Sequence, residues 1–206
     1  MIYKVPKNAA WIQPISNEIL WSDNFIKIYK FFVFDSVVEG ASARGKNLKE
    51  DYHWSNPWAK PYYLNKQLKQ LSTDEHLLFS ASVYEQKKAN SKKKTETMEE
   101  ALEKANMKIF PETSFERICI YNNRKNQIIS TFAHIRNSFA HCRFNIVEDR
   151  GNIVYCFEDV DPQKDSMGRV KVSGRAVLFE STLLKWIDLI EAGEGEYSET
   201  SGSQME

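Results

Sequence analysis

Large apolar residues recur at helical spacing along the most informative stretch of the chain, residues 127–144. They are separated by four, three and four positions, which places them on one side of an α-helix: Ile128, Phe132, Ile135 and Phe139. Small or polar residues follow the same spacing on the roughly opposite side: Ser130, Ala133, Asn137 and Ala140. Large side chains favour burial in a core, whereas small ones let a second helix approach closely. The pattern therefore predicts a central helix with two packing faces.

Helical spacing also predicts elements on both sides of this stretch. A strongly apolar helix begins near Ser22, a residue type that caps helices well. Hydroxyl residues followed three positions later by Glu, the spacing of a capping box, predict helix starts at Ser72, Thr97 and Thr113. We expect the last of these to continue into the central stretch as one long helix over about residues 114–142. A final amphipathic helix is expected over about 181–192.

The spacing of apolar residues changes to two after the central helix. Two short runs, 145–147 and 153–157, flank the polar segment 148–152 with its Gly151, which is typical of a β-hairpin with a glycine turn over about 144–158. Short runs at 170–172 and 176–179 are candidate strands. Together these patterns predict a mainly α fold, a helical bundle with a small β-hairpin appendage after the central helix.

Composition sets the expected domain limits. Residues 1–20 carry Pro6 and Pro14 and show no steady period, which predicts an irregular N-terminal arm. With 206 residues and 42% apolar content the chain can bury one good core, and we expect a single domain over 21–192. Residues 193–206, rich in Gly, Ser and Glu, are predicted to form a disordered acidic tail.

The charges and apolar runs exclude several classes of protein. The chain has 28 basic and 28 acidic residues, so it lacks the broad positive field of a protein that coats nucleic acid. The first ten residues lack the apolar core of a signal peptide, and no apolar run reaches the ~18 residues of a membrane helix. We therefore expect a soluble, cytoplasmic protein without a membrane partner.

Cysteine usage argues against a metal or disulfide framework. The three cysteines, Cys119, Cys142 and Cys156, are odd in number and include no CxxC pair. His141 and Cys142 are adjacent on a predicted helix and diverge in direction, which disfavours a shared metal ion. We expect neither a metal nor another cofactor.

The densest positive patch in the chain is a lysine run. Its members are Lys87, Lys88, Lys92, Lys93 and Lys94. A charge run is usually a solvated surface, which is the default interpretation. It would hold phosphates without reading sequence only if it folds beside His141.

Polar residues with catalytic potential flank the small face of the central helix. Arg136 lies on one side of this face, and His134 and His141 lie on the other, with Asn137 between them. On an ideal helix Arg136 and His141 point about 140° apart, too far round to hold one small ligand together. A site made from these residues requires either fraying of the helix end near Cys142 or a second copy of the helix.

The segment Arg136–His141, RNSFAH, resembles the Arg-x4–6-His motif of the HEPN superfamily (higher eukaryote and prokaryote nucleotide-binding domain). In that family the motif lies at the end of a long helix of an α-helical bundle, and a polar residue such as Asn usually follows the Arg. The resemblance implies a homodimer in which two motif helices form a composite, metal-independent endoribonuclease site. It also implies a toxin or phage-defence role in a prokaryote, with an antitoxin or another defence protein as partner.

The activity that the resemblance implies is attack by a ribose 2′-hydroxyl on the adjacent phosphate, which leaves a 2′,3′-cyclic phosphate. We expect Arg136 to stabilise charge on the phosphate oxygens with two parallel donors and His141 to transfer protons. Asn137 would orient His141 or the phosphate. His134 is either a second site histidine or lining of the helix, and lining is favoured. Because the nucleophile comes from ribose, we expect no DNA cleavage.

The sequence departs from one branch of the family directly after the motif. In HEPN toxins that a nucleotidyltransferase partner inactivates, a Tyr lies two residues after the motif His, and Arg143 occupies that position here. Control by tyrosine adenylylation is therefore not expected. Arg143 would instead add positive charge at the mouth of the site.

Other interpretations remain open from the sequence. Arg136 can be a surface ion-pair partner, and His141 can be a helix C-terminal residue favoured by the helix dipole. A non-catalytic HEPN module that binds RNA or nucleotide, or scaffolds a partner protein, would have the same bundle and dimer. A structural helical protein whose small face packs against a different chain is a third interpretation.

Overall fold

The computed structural model describes the backbone over most of the chain. The described residues are 4–6, 17–35, 37–38, 46–55, 57, 63–70, 79–84, 97–110, 112–122, 126–161 and 167–202. The run Lys92–Lys94 and the capping-box start predicted at Ser72 lie outside them. None of the helices in these ranges is long and apolar enough to cross a membrane.

Six strands and six helices follow one another in the described residues. The strands are β1 (Lys4–Pro6), β2 (Phe79–Tyr84), β3 (Arg117–Asn122), β4 (Phe144–Asp149), β5 (Asn152–Asp161) and β6 (Arg169–Phe179). The helices are α1 (Asn17–Leu20), α2 (Asp23–Val33), α3 (Tyr63–Gln70), α4 (Met98–Lys104), α5 (Gln127–Ala140) and α6 (Glu180–Gly202).

All six strands belong to one sheet. Its order is β2-β3-β6-β5-β4, and β1 pairs with the start of β6. β2 and β3 are parallel, whereas β3, β6, β5 and β4 are antiparallel neighbours. The predicted hairpin is confirmed as β4–β5, and the two candidate strand runs after it both belong to β6. The protein is therefore mixed α/β, and the prediction of a mainly α bundle is wrong.

The error lies in the residues before α5. The long helix predicted over 114–142 is a strand, β3, followed by the shorter helix α5. Ile118 and Tyr121 are in phase with the apolar stripe of α5, which suggested one continuous helix. The side chains of β3 nevertheless alternate, since Ile118 belongs to one core and Cys119 to the other. The helix predicted to start at Ser72 was expected to run through Tyr84, and that part of the prediction is wrong, because residues 79–84 form β2, paired in parallel with β3.

The two faces of the sheet are covered by different helices. One face packs against α2, α5 and α6 through Ile118, Ile120, Tyr155, Phe157, Ala176 and Leu178. The opposite face packs against α4 through Cys119, Val154, Cys156, Val172, Val177 and Phe179. This alternation is the period of two expected of strands that are covered on both sides.

The predicted start of α4 is confirmed. The hydroxyl of Thr97 accepts a hydrogen bond from the backbone N–H of Glu100 at 3.2 Å, and the Glu100 carboxylate accepts one from the Thr97 N–H at 2.8 Å. The capping box predicted at Thr113 is absent from the structure, because Glu116 leads into β3 and its carboxylate accepts from the N–H of Phe179 at 2.8 Å. Glu116 thereby links the start of β3 to the end of β6.

Aromatic packing fixes α5 between the sheet and two helices. Phe132 lies 5.4 Å from Phe32 of α2 and 5.7 Å from Trp186 of α6, between ring centroids. Phe139 lies 5.0 Å from Phe157 of β5. All these rings are buried, so the large apolar stripe of α5 faces the core as predicted.

The two ends of the chain also differ from the prediction. β1 and α1 lie within residues 1–20, which were predicted to be irregular. α6 continues past Gly193 to Gly202, where a disordered tail was predicted. Gly193 interrupts the helix with φ 75° and ψ 179°, and a Cβ there would lie 2.8 Å from the carbonyl oxygen of Tyr52. Only glycine fits that position without strain.

Candidate functional site

The end of α5 lies at the boundary between the core and solvent. α5 ends at Ala140, and His141 is its C-cap residue with φ −103° and ψ 11°. The backbone N–H of His141 donates to the carbonyl of Asn137 at 3.0 Å. Cys142 then adopts φ 51°, which turns the chain into β4. The motif Arg136–His141 therefore occupies the last turn of a helix whose other sides are packed.

Arg136 and His141 differ in their exposure at the end of α5. Arg136 is half-buried, and its Nε is buried without a hydrogen-bond partner. His141 is exposed. Within the described ranges neither side chain forms a hydrogen bond or ion pair. The interpretation of Arg136 as a surface ion-pair partner therefore finds no partner in this part of the chain.

His134 is a hydrogen-bonded core histidine. Its side chain is buried, with Nδ1 2.6 Å from Asp159 Oδ2 and Nε2 2.9 Å from the carbonyl oxygen of Tyr121. A carbonyl oxygen only accepts, so Nε2 carries a hydrogen and donates to it. A hydrogen bond links Nδ1 to the carboxylate of Asp159. Both nitrogens are occupied, and His134 is not free to act on an external substrate.

The space for His134 is created by two features of the neighbouring strands. Gly174 of β6 pairs with Asp159 of β5, directly before a register shift between Asp159 and Val160. A bulge of this kind re-aims the side chains around it. A Cβ on Gly174 would lie only 3.0 Å from Cγ of His134. The bulge and the missing side chain together let α5 approach the sheet closely enough for His134 to reach Asp159.

Asn137 is tied to the same carboxylate. Its Nδ2 donates to Asp159 Oδ2 at 3.1 Å, and its side chain is half-buried. An ionised carboxylate only accepts, so the amide nitrogen of Asn137 is the atom that faces Asp159. One carboxylate oxygen thus joins the buried His134 to a residue of the motif.

Arg143 does not lie at the mouth of an open site. It is buried and forms an ion pair with Glu158, which is also bound by Arg175 at 2.6 and 2.9 Å. A guanidinium held in this way supports the packing of β4 and β5 rather than a surface field. Within one protomer, the prediction that Arg143 adds positive charge at the mouth of the site is wrong. The other predicted substrate-binding residues, Lys92–Lys94, lie outside the described residues.

The small face of α5 is largely used inside its own domain. Ser130 and Ala133 are buried, and the hydroxyl of Ser130 donates to Asn122 of β3 at 2.8 Å. Asn137 is half-buried and Ala140 is exposed. The surface that a second copy of α5 could approach is therefore confined to the last turn of the helix, not to its whole length.

Asp159 and Gly174 are candidates that sequence reasoning missed. Asp and Glu are almost never fully buried without a partner, yet Glu158 and Asp159 interrupt the apolar strand that runs from Ile153 to Val160. That interruption is a signal of buried charge pairs. A glycine inside a strand, as at Gly174, signals the close approach of another element. Both signals were present in the sequence.

A family model described as HEPN pEK499 p136 matches residues 9–195. No curated protein and no solved structure matches the chain. In the part of the chain that the structure describes, no group of three or more His, Cys, Asp or Glu side chains is placed to hold a metal ion.

Proposed function

The chain belongs to the HEPN family described as pEK499 p136, and from that premise we propose that it is a metal-independent endoribonuclease. Its catalytic residues are Arg136 and His141. The observation that carries the proposal is the contrast at the end of α5. His134 and Arg143 are held by internal partners, whereas the side chains of Arg136 and His141 have no hydrogen bond or ion pair among the described residues.

The reaction is transfer of the phosphate from its 5′-oxygen to the neighbouring 2′-hydroxyl. His141 removes the 2′ proton or protonates the leaving 5′-oxygen, a task suited to an imidazole near neutral pH. Arg136 donates two parallel hydrogen bonds to the non-bridging oxygens as charge develops there. Asn137 orients His141 or the phosphate. The products are a 2′,3′-cyclic phosphate and a 5′-hydroxyl, so DNA is not a substrate.

The site is composite and requires a homodimer. Arg136 and His141 are about 140° apart on an ideal helix, so two copies related by a twofold axis bring one pair of each residue into a shared cleft. The small exposed side chain of Ala140 allows a second α5 to approach at this point. A protein that remains monomeric at micromolar concentration by light scattering would contradict this arrangement.

A labelled RNA incubated with the purified protein in EDTA tests the activity. Arg136→Ala and His141→Ala are each expected to lower the cleavage rate at least about 100-fold. A 2′-deoxy nucleotide placed at the cut position should abolish cleavage there. RNA binding without any cleavage would refute the enzyme and favour a non-catalytic RNA-binding HEPN module.

Two exposed residues give matched controls for these variants. His53 and Arg150 are exposed and have φ of 58° and 53°, a region that Asn tolerates. His53→Asn removes an imidazole and Arg150→Asn removes a guanidinium without touching the end of α5. Both should retain the wild-type cleavage rate. If the control variants lost as much cleavage rate as the site variants, the effect of the site variants would come from a change in net charge or in protein stability.

The biological setting of the proposal is a toxin or phage-defence effector in the prokaryotic cytoplasm, restrained by an antitoxin or activated by another defence protein. Expression in a bacterial host should then arrest growth. The His141→Ala variant, expressed at the same level, should not. If both proteins arrested growth equally, RNA cleavage by His141 would not be the cause of the arrest, and this role would be contradicted.

A further inference from the structure

Three polar side chains beneath the end of α5 form one hydrogen-bonded unit. Oδ2 of Asp159 lies 2.6 Å from Nδ1 of His134 and 3.1 Å from Nδ2 of Asn137. His134 and Asp159 are buried, and Asn137 is half-buried. The unit therefore runs from the core of the domain to the edge of the candidate site.

Asp159 is held by hydrogen bonds to both its backbone and its side chain. Its backbone carbonyl accepts from the hydroxyl of Ser173 at 3.1 Å, and its side chain is fixed from α5 by His134. His134 is in turn anchored to the carbonyl of Tyr121 and packed against Gly174. Strands β3, β5 and β6 and helix α5 all contribute to this arrangement. These contacts favour one orientation of the Asp159 carboxylate relative to the side-chain amide of Asn137.

We propose that Asp159 is a positioning residue of the candidate site, which fixes the side-chain amide of Asn137, and that His134 holds Asp159 from the core side. The assignment of a catalytic consequence rests on the proposed function, because it takes Asn137 to orient His141 or the phosphate. The hydrogen-bonded unit itself is a property of the fold.

The physical reason is preorganisation. The terminal torsion of an Asn side chain is broad, so an amide at the surface samples many orientations and both flips. Bonding of Nδ2 to a buried carboxylate selects one flip and restricts the rotation. A site whose polar groups are locked by supporting hydrogen bonds loses less free energy in reaching the productive geometry. Asp159 therefore affects the rate of the chemical step more than substrate binding.

A double-mutant cycle on RNA cleavage tests this role. Asn137→Ala and Asp159→Asn should each lower kcat about 10- to 100-fold with KM changed less than about twofold. If Asp159 acts through Asn137, adding Asp159→Asn to Asn137→Ala should have almost no further effect on kcat. A double variant whose loss equals the product of the single losses, or an Asp159→Asn variant with wild-type kcat, overturns the proposal.

Ser173→Ala supplies the matched control. It removes a hydrogen bond to the backbone of Asp159 but leaves the carboxylate contacts in place. Its kcat should stay close to that of the wild type. A drop as large as that of Asp159→Asn would mean that loosening of the strand, rather than orientation of Asn137, lowers the rate.

A measurement on the resting protein keeps the proposal testable even if Asp159→Asn folds poorly or the wild type cuts no RNA. The side-chain amide signals of Asn137 in a ¹H–¹⁵N spectrum are identified by their loss in Asn137→Ala. One proton should be shifted downfield and protected from exchange with water. Signals that exchange as fast as those of a solvent-exposed amide contradict the fixed orientation. Absence of cleavage with a protected amide would instead refute only the proposed function.

Discussion

Substitution of Gly174 by Ala is the sharpest test of how closely α5 approaches the sheet. The added Cβ would lie 3.0 Å from Cγ, 3.2 Å from Nδ1 and 3.3 Å from Cβ of His134. These atoms are at the base of the side chain and in the ring itself, so rotation of a flexible tip cannot relieve the contact. The helix or the strand must move by a few tenths of an ångström, and the 2.6 Å contact between Nδ1 and Asp159 must be disturbed.

The expected loss of stability follows from two opposing terms. Overpacking of a well-filled interior costs about 1–3 kcal/mol. Replacement of Gly by Ala inside a strand returns roughly 0.5–1 kcal/mol, because it reduces the conformational entropy of the unfolded chain. We therefore expect Gly174→Ala to lower the free energy of unfolding by about 0–2.5 kcal/mol, with a central value of about 1 kcal/mol.

Urea unfolding of four proteins provides the assay: wild type, Gly174→Ala, His134→Ala and the double variant. In the His134→Ala background the ring is gone, and the additional cost of Gly174→Ala should fall to at most about 0.5 kcal/mol. An equal penalty in both backgrounds would refute the contact with His134 as its cause. A stabilised Gly174→Ala single variant would refute the close approach itself.

Three further predictions concern the support of the fold. Burial raises the pKa of Glu116 from 4.5 to about 7, so the native state binds the proton more tightly and its stability falls as pH rises between these values. Relative to Glu116→Gln, the wild type should lose up to about 3 kcal/mol of unfolding free energy between pH 4 and pH 8. Urea titrations in which the unfolding free energies of the two proteins depend equally on pH would contradict this prediction. Glu158→Gln removes the carboxylate between two buried guanidinium groups and should lower the free energy of unfolding by about 3–5 kcal/mol. A loss below about 1 kcal/mol in the same titration would contradict this prediction. Thr97→Ala breaks the capping box of α4 and should lower stability by about 1 kcal/mol, whereas no shift of the midpoint would show that the cap is replaced by other contacts.

The periodicity of the sequence predicted the helices that pack on large apolar stripes. Phe132 and Phe139 lie at helical spacing, and both are buried against aromatic neighbours as expected. The hairpin over 144–158 was predictable because two short runs of strand-forming residues flank one polar turn with a glycine. Periodicity failed at β3, since six residues are too few to separate a strand from a helix when Ile118 and Tyr121 also fit the helical phase.

The sequence likewise predicted only part of the candidate site. Arg136 and His141 could be chosen from their spacing and their place on the helix, because these are properties of local sequence. The roles of His134 and Arg143 depend on Asp159 and Glu158, which lie more than ten residues away on β5. Local pattern does not indicate which distant carboxylate a basic side chain will meet. The packing of α5 and β4 against β5 decides which carboxylate each basic side chain meets.

We propose that Arg136 of one protomer and His141 of another complete a ribonuclease site. Single-turnover cleavage by mixed Arg136→Ala and His141→Ala proteins, in EDTA, tests it most directly. Each variant alone should be inactive, and mixing should restore cleavage because heterodimers contain a cleft with one intact copy of each residue. Wild-type cleavage by either variant alone, or an inactive mixture in which heterodimers are shown to form, would contradict the account.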